Sequence, residues 1–261
     1  MKIAIIGLGN MGGAIYRQLK NSIPAQQLFL CSHTRPSFVD KKNYFSTNAN
    51  NVCQRADSII LAVKPQSLGT LMNGITVDLS KKIIVSILAG VTIKNLGLLT
   101  GAKKIIRTMP NLPAQVGLGV TGWVATKAVN HNEKNLVKKI LATLGYEIEL
   151  RNENLIAKLT VISGCGPAYF FYLTELLETR AQALGLTQDA AQKIAALTLS
   201  GTVDLLTHNT KTAAEWRAAV TSKGGVTEAV LKHLNQKKFP KIFKQALDTG
   251  IKRSKELAKL V

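Results

Sequence analysis

Lys2-Ile3-Ala4-Ile5-Ile6 runs directly into Gly7-Leu8-Gly9-Asn10-Met11-Gly12, and a helical stretch to about Lys20 follows. A short β-branched run, a G-x-G-x-x-G turn and a helix, in that order, form the phosphate-binding start of a dinucleotide fold. Gly7 permits the tight turn, Gly9 lets the backbone approach a pyrophosphate, and Gly12 allows close helix–sheet packing. The helix N-terminus offers the phosphates free N–H groups and a positive dipole end. The competing reading is a glycine-rich turn without a ligand.

Working outward, β-branched runs at 27–32, 58–63, 83–87 and 104–108 alternate with segments of helical composition. That alternation predicts a parallel α/β sheet covered on both faces. Runs at 117–125 and 146–150 flank a helix from Glu133 to Leu144. After Arg151-Asn152-Glu153-Asn154 the strand signal stops, and 154–162, 167–184, 187–207, 212–221, 226–235 and 239–259 read as helices. The expected fold class is therefore α/β. An N-terminal Rossmann-like dinucleotide-binding domain, 1–153, precedes an all-α domain, 154–261. The helix 187–207 is apolar nearly all round, and such helices are normally buried on every side. A helical domain of roughly 100 residues can hardly enclose it alone, so the sequence predicts an intertwined homo-oligomer.

Composition narrows the function classes. With 46% apolar residues in 261, the chain buries a core and is not globally disordered. Apolar runs such as Ile59 to Val63 are too short to span a bilayer, and no signal-peptide pattern follows the first strand. Three cysteines without C-x-x-C spacing argue against a disulfide framework and a zinc site, and for a cytoplasmic protein with free thiols and no metal. The net charge of +19 is unevenly spread: residues 1–157 carry 19 basic and 7 acidic side chains, 158–231 carry 6 and 6, and 232–261 carry 9 and 2. No aromatic-interleaved basic stripe appears and only 5% of residues are aromatic, which favours a lysine-coated surface over a nucleic-acid groove.

The end of the second strand selects the dinucleotide. NAD sites usually carry Asp or Glu there, on the ribose 2′-hydroxyl. Here Leu28 to Cys31 runs into Ser32-His33-Thr34-Arg35, and the next acid is Asp40. Ser32, Thr34 and the forked guanidinium of Arg35 suit a 2′-phosphate, so NADPH is the preferred cofactor and NADH the second candidate. His33 reads as a solvent-exposed loop residue. Ala62-Val63-Lys64-Pro65 ends the next parallel strand and should line the cofactor cleft, Lys64 being either a cofactor contact or a surface lysine. Asn48 is a candidate for the adenosine ribose.

Read in order, these motifs resemble the pyrroline-5-carboxylate reductase family over essentially the whole chain. The likeness rests on Gly7 to Gly12, Ala62 to Pro65, Ser86-Ile87-Leu88-Ala89-Gly90 and Arg107-Thr108-Met109-Pro110-Asn111-Leu112-Pro113. More specific are Ser163-Gly164-Cys165-Gly166-Pro167-Ala168-Tyr169 and Val220-Thr221-Ser222-Lys223-Gly224-Gly225-Val226-Thr227. Departures from the usual family residues are Lys223 for Pro, Val226 for Thr or Ala, Leu112 for Thr and Cys165 for Ser. The resemblance implies NADPH-dependent reduction of the ring C=N of 1-pyrroline-5-carboxylate to L-proline, the last step of proline biosynthesis. It also implies an interlocked homodimer, assembling further into a homodecamer, with no nucleic-acid or membrane partner.

On that resemblance the nicotinamide sits near Leu88, Ala89, Met109, Pro110 and Asn111. The turn Ser222, Gly224, Gly225, Val226 and Thr227 leads into a helix; its N–H groups form an anion-binding concavity for the substrate carboxylate. Thr227 is the expected catalytic residue, hydrogen-bonding the ring nitrogen, against the competing reading of a helix N-cap. Glu153 matches a family acidic position bordering the substrate, or is a solvated linker carboxylate. Cys165 reads as packed against the cleft, and Tyr169 and Phe170 as core. His131, His208 and His233 read as surface. Two alternatives stand: another NADP-linked imine or β-hydroxyacid oxidoreductase of the same plan, for which Lys158 is roughly placed as the catalytic lysine, and a non-enzymatic basic binding protein.

Overall fold

The computed structural model describes residues 1–257. Contacts divide the chain into two compact units, Met1–Cys165 together with the segment from Gly250 onward, and Gly166–Thr249.

The first unit is built on one eight-stranded sheet. Its elements are β1 (Ile3–Ile6), α1 (Asn10–Leu19), β2 (Leu28–Cys31), β3 (Tyr44–Ser46), α2 (Ala49–Arg55), β4 (Ser58–Leu61), α3 (Leu68–Asn73), β5 (Ile83–Ser86), α4 (Ile93–Thr100), β6 (Lys104–Met109), β7 (Gly119–Ala125), α5 (His131–Ala142) and β8 (Gly145–Glu149). The strand order is β3-β2-β1-β4-β5-β6-β7-β8, with the chain reversing direction across the sheet between β1 and β4. Strands β1, β2, β4 and β5 are buried at every position, which suits short continuous apolar runs in a sheet covered on both faces. Side chains alternate as the pleat requires: Ile3 and Ile5 join one core, Ala4 and Ile6 the other.

Two features depart from the sequence reading. Strand β7 runs antiparallel to β6, because only a short 3-10 turn, Leu112–Val116, joins them and a parallel return needs a long crossover. The three-residue β3 pairs with β2 and is too short to leave a periodic signal.

The segment after β8 stays with the sheet. Helix α6 (Asn154–Leu159) passes into a π-helical turn, Thr160–Gly164, closed by the Cys165 N–H on the Thr160 carbonyl at 2.7 Å. Ile156 and Val161 are buried, and Gly250 lies so close to Val161 that an added Cβ would meet its methyls at 3.3 Å. Packing therefore separates the units after Cys165, whereas the strand signal ends near residue 153.

The second unit is helical: α7 (Gly166–Ala183), α8 (Gln188–His208), α9 (Ala213–Ala219), α10 (Val226–Gln236) and the start of α11 (Phe239–Leu257). Gly185, at φ +96°, ends α7, and the Thr187 hydroxyl caps α8 on the Ala190 N–H. Tyr169 meets Phe243 edge-on. Among the described residues, few side chains of this unit are buried. Of α8 only Ala191 and Ala195 are buried, while Leu197 is 70% exposed. Phe170, expected in the core, is likewise exposed, because none of the described residues covers that face of α7. By length and composition alone the helical run Asn154–Ala183 could cross a membrane. No single apolar run revealed it, since polar residues interrupt it.

Candidate functional site

At the end of β1 the Gly7 N–H bonds the Cys31 carbonyl at 2.8 Å, turning the chain sharply at φ +95°. A Cβ on Gly7 would lie 2.6 Å from the Ala62 carbonyl oxygen, and one on Gly12 1.9 Å from the Gly7 oxygen. Those two glycines are required by packing. Gly9 differs: a Cβ there would meet nothing within 4 Å, so its lack of a side chain leaves open space beside α1. Gly9 is the N-cap of α1 and makes no side-chain cap, and no acid occupies the first turn. The helix end thus faces that space with its N–H groups free of intrahelical partners. Leu8 is buried, Met11 packs on the core, and Asn10 is exposed.

A cleft of about 600 Å³ opens at the carboxyl ends of these strands, lined by the expected Gly7, Ser32, Asn48 and Val63. His33, Thr47 and Gln66 also line it. His33, set aside in the sequence, is brought there by the turn that carries Ser32. The Asn48 side chain accepts the Asn50 N–H at 2.9 Å, capping α2 while bordering the cleft. Thr34, Arg35 and Lys64 are exposed outside the lining. Arg35 directs Nη2 to the carbonyls of Asp40 (2.7 Å) and Asn43 (3.3 Å) and lays its guanidinium over Phe45. The Asp40 carboxylate faces Lys20 at 3.6 Å. The shape, the glycine-made opening and Ser32 at the β2 end fit a dinucleotide, whereas Thr34 and Arg35 are not brought into the lining.

Past the carboxyl end of β5, which is parallel to β1 and β4, Leu88 is buried and its N–H bonds the Ser86 hydroxyl at 3.2 Å, while Ala89 is exposed. Thr108 ties β6 to the Ser86 carbonyl at 3.1 Å. Pro110 is buried, and Asn111 joins two segments, donating to the Ser163 carbonyl (3.0 Å) and accepting the Val120 N–H (2.7 Å). The Met109 methyl lies against Gly164 of the π turn. Sequence reasoning missed that turn. π-Helical turns cluster at functional sites, and composition gives no sign of them. Glu153 is occupied structurally: its Oε1 accepts from Arg107 at 2.6 Å and from the Ile93 N–H at 2.7 Å. Lys158 is exposed on α6.

In the helical unit, Gly224 has φ +74° and Gly225 caps α10, so α10 begins at Val226. Thr227 is thus not the cap, and its exposed hydroxyl is spared that duty. The turn is less open than its glycines suggest. The Gly224 N–H is taken by Glu228 Oε2 at 2.6 Å and the Gly225 N–H by the Ser222 carbonyl at 3.0 Å. Glu228 sits at the third helical position, from which a carboxylate reaches back as in a capping box. The first-turn N–H groups of Val226, Thr227 and Glu228 lack i−4 partners within the helix, the first such bond being Ala229 to Gly225.

The cysteines are all free. Burial pushes the Cys31 thiol up and raises Cys53 to about 11. Cys165, expected to be packed, is exposed at the end of the π turn. At pH 8 a thiol reagent should therefore modify one cysteine per native chain rapidly and three in denaturant; rapid loss of a second native thiol would contradict the burial of the β2 and α2 cysteines.

A profile described as "Pyrroline-5-carboxylate reductase dimerisation" matches residues 153–257, and one described as "NADP oxidoreductase coenzyme F420-dependent" matches 2–90. The chain is 32% identical to the pyrroline-5-carboxylate reductase of Haemophilus influenzae, over 99% of this chain and 98% of that one. Among solved structures, Plasmodium falciparum pyrroline carboxylate reductase with NADP bound is similar at 28% identity and a TM-score of 0.89, covering 99% of this chain and 98% of that one. A pyrroline-5-carboxylate reductase from Coxiella burnetii is similar at 30% identity and a TM-score of 0.89, with 98% of both chains covered.

Proposed function

The chain belongs to the pyrroline-5-carboxylate reductase family, and we propose that it reduces 1-pyrroline-5-carboxylate to L-proline with NADPH. The observation that carries this reading at the geometric level is the glycine-opened α1 terminus, set beside a cleft whose β2 rim offers Ser32 and no carboxylate. The bound cofactor supplies a hydride to the ring carbon of the C=N bond. The chain's own residues bind, orient and hold a proton.

Gly7 to Gly12 and the α1 N–H groups hold the pyrophosphate. Ser32, Thr34 and Arg35 hold the 2′-phosphate, with Asn48 at the ribose and Ala62 to Pro65 along the wall. Leu88, Ala89, Met109, Pro110 and Asn111 frame the nicotinamide, and the two side-chain bonds of Asn111 support that frame's rigidity. Ser222, Gly224, Gly225, Val226 and Thr227 bind the substrate, the free first-turn N–H groups of α10 receiving its carboxylate. Thr227 presents its hydroxyl oxygen to the ring nitrogen, where it accepts the N–H of the iminium, whose proton the imine has already taken from water. No strong general acid is needed, because a cyclic imine arrives partly protonated and orientation does most of the work.

The chain self-associates. The uncovered apolar faces of α7 and α8 support an intertwined homodimer, with assembly into a homodecamer as its higher form. Three unpaired thiols support a soluble enzyme of the cytoplasm.

Initial rates of NADPH oxidation with 1-pyrroline-5-carboxylate test the reading; absence of turnover with either NADPH or NADH overturns it. Thr227→Ala should lower kcat/KM about ten- to a hundred-fold, the ~1.4–2.7 kcal/mol of one well-placed hydrogen bond. Unchanged kinetics would remove Thr227 from the mechanism.

A further inference from the structure

The 2′-phosphate loop is held from behind by a buried tyrosine. Tyr16, four residues beyond Gly12 and fully buried in α1, sends its hydroxyl under the loop that follows β2. That one oxygen accepts the Asp40 N–H at 2.9 Å and donates to Asn43 Oδ1 at 3.0 Å. Asp40 and Asn43 are the two residues whose carbonyls fix Nη2 of Arg35. Both hydrogens of Nη2 are thereby used, and Nε and Nη1 keep three further N–H groups on a guanidinium seated over Phe45. Lys20, the C-cap of α1 one turn beyond Tyr16, draws the Asp40 carboxylate to itself at 3.6 Å and lies over the Tyr16 ring. The same helix thus neutralises the nearest acid and fixes the backbone that aims the nearest base.

We infer that Tyr16 is a positioning residue for cofactor selectivity: its hydroxyl holds the 40–43 backbone so that Arg35 meets the 2′-phosphate with an ordered side chain. An exposed arginine otherwise loses rotamer freedom when it binds, and anchoring removes that cost in advance. Tyr16 touches neither cofactor nor substrate in this arrangement. Its effect is confined to ligands that carry a 2′-phosphate. The inference rests on Arg35 as the 2′-phosphate ligand.

Calorimetric binding of 2′,5′-ADP and of 5′-ADP separates these ideas without turnover. Tyr16→Phe keeps the ring and its packing against Phe38 while deleting the hydroxyl. It should weaken 2′,5′-ADP about ten-fold, leave 5′-ADP within two-fold, and have no further effect in an Arg35→Ala background. Equal weakening of both nucleotides, or of neither, overturns the inference. Arg35→Ala with undiminished 2′,5′-ADP affinity overturns the phosphate assignment and the inference with it, whereas an effective Arg35→Ala beside a silent Tyr16→Phe overturns the inference alone. Should Tyr16→Phe not fold, Asn43→Ala removes the other side of the same clamp, and the same selective loss is required of it.

Discussion

Gly12→Ala is expected to abolish tight NADPH binding and to destabilise the fold, whereas Gly9→Ala, three residues earlier in the same motif, should weaken NADPH while leaving the fold intact. The contrast follows from what each new methyl would meet. At Gly12 the Cβ would stand 1.9 Å from the Gly7 carbonyl oxygen and 3.0 Å from the Ala62 methyl. The first is backbone, fixed by the Gly7–Cys31 hydrogen bond, and cannot swing away. Helix α1 must therefore move off the turn, at the upper end of the ~1–3 kcal/mol typical of overpacking. The phosphate-facing N–H groups move with it, and a loss of only ~2.7 kcal/mol in binding is already a hundred-fold in Kd. At Gly9 the backbone, φ −70° and ψ −159°, accepts alanine, and the methyl meets no protein atom within 4 Å. It occupies instead the space assigned to the pyrophosphate. Thermal midpoints near wild type with a Kd raised about ten-fold or more, ~1.4 kcal/mol, are the expected result for Gly9→Ala. Full NADPH affinity in that variant would place the pyrophosphate elsewhere.

What was legible in the sequence was whatever depends on local sterics. A tight turn, a close approach and a helix contact each demand a glycine within six residues, so G-x-G-x-x-G can be read without a structure. Helix α8 carried its message in the same way: small and aliphatic residues nearly all round it demand a partner, and among the described residues only Ala191 and Ala195 of it are buried. The sequence proposed Arg35 as a 2′-phosphate donor from its place after β2, but the anchoring of its side chain could not be read there. Its partners are main-chain carbonyls in a loop without periodicity, and the hydroxyl organising them lies on another element. Strand β3 and the π turn were missed for similar reasons, one being three residues long and the other indistinguishable in composition from an α-helix. At the turn before α10 the glycines pointed to a row of open N–H groups. Only the structure reveals that Glu228 folds back onto the first of them.

Glu153 illustrates a pairing no local pattern could disclose, and it yields a second large effect. Arg107 lies in β6, 46 residues away in sequence, with its side chain 9% exposed and its Nε already lacking a partner. Glu153 supplies its only ion pair among the described residues, and the same oxygen receives the first N–H of α4, where a negative charge is also favoured by the helix dipole. Glu153→Ala therefore strands a buried cation and an N-terminal amide together. Removing one partner of a buried pair costs about 3–5 kcal/mol; the Glu153 side chain is 30% exposed, so water can answer part of the loss and the lower end applies. About 3 kcal/mol corresponds to a fall of roughly 6–12 °C in Tm for a chain of this size. Arg107→Met combined with Glu153→Ala should be more stable than Glu153→Ala alone, because the stranded charge is gone. Thermal unfolding of the two single variants and the double variant closes the cycle. A Glu153→Ala protein with wild-type Tm and a raised KM for the imine would instead return Glu153 to the substrate, where the family resemblance first put it.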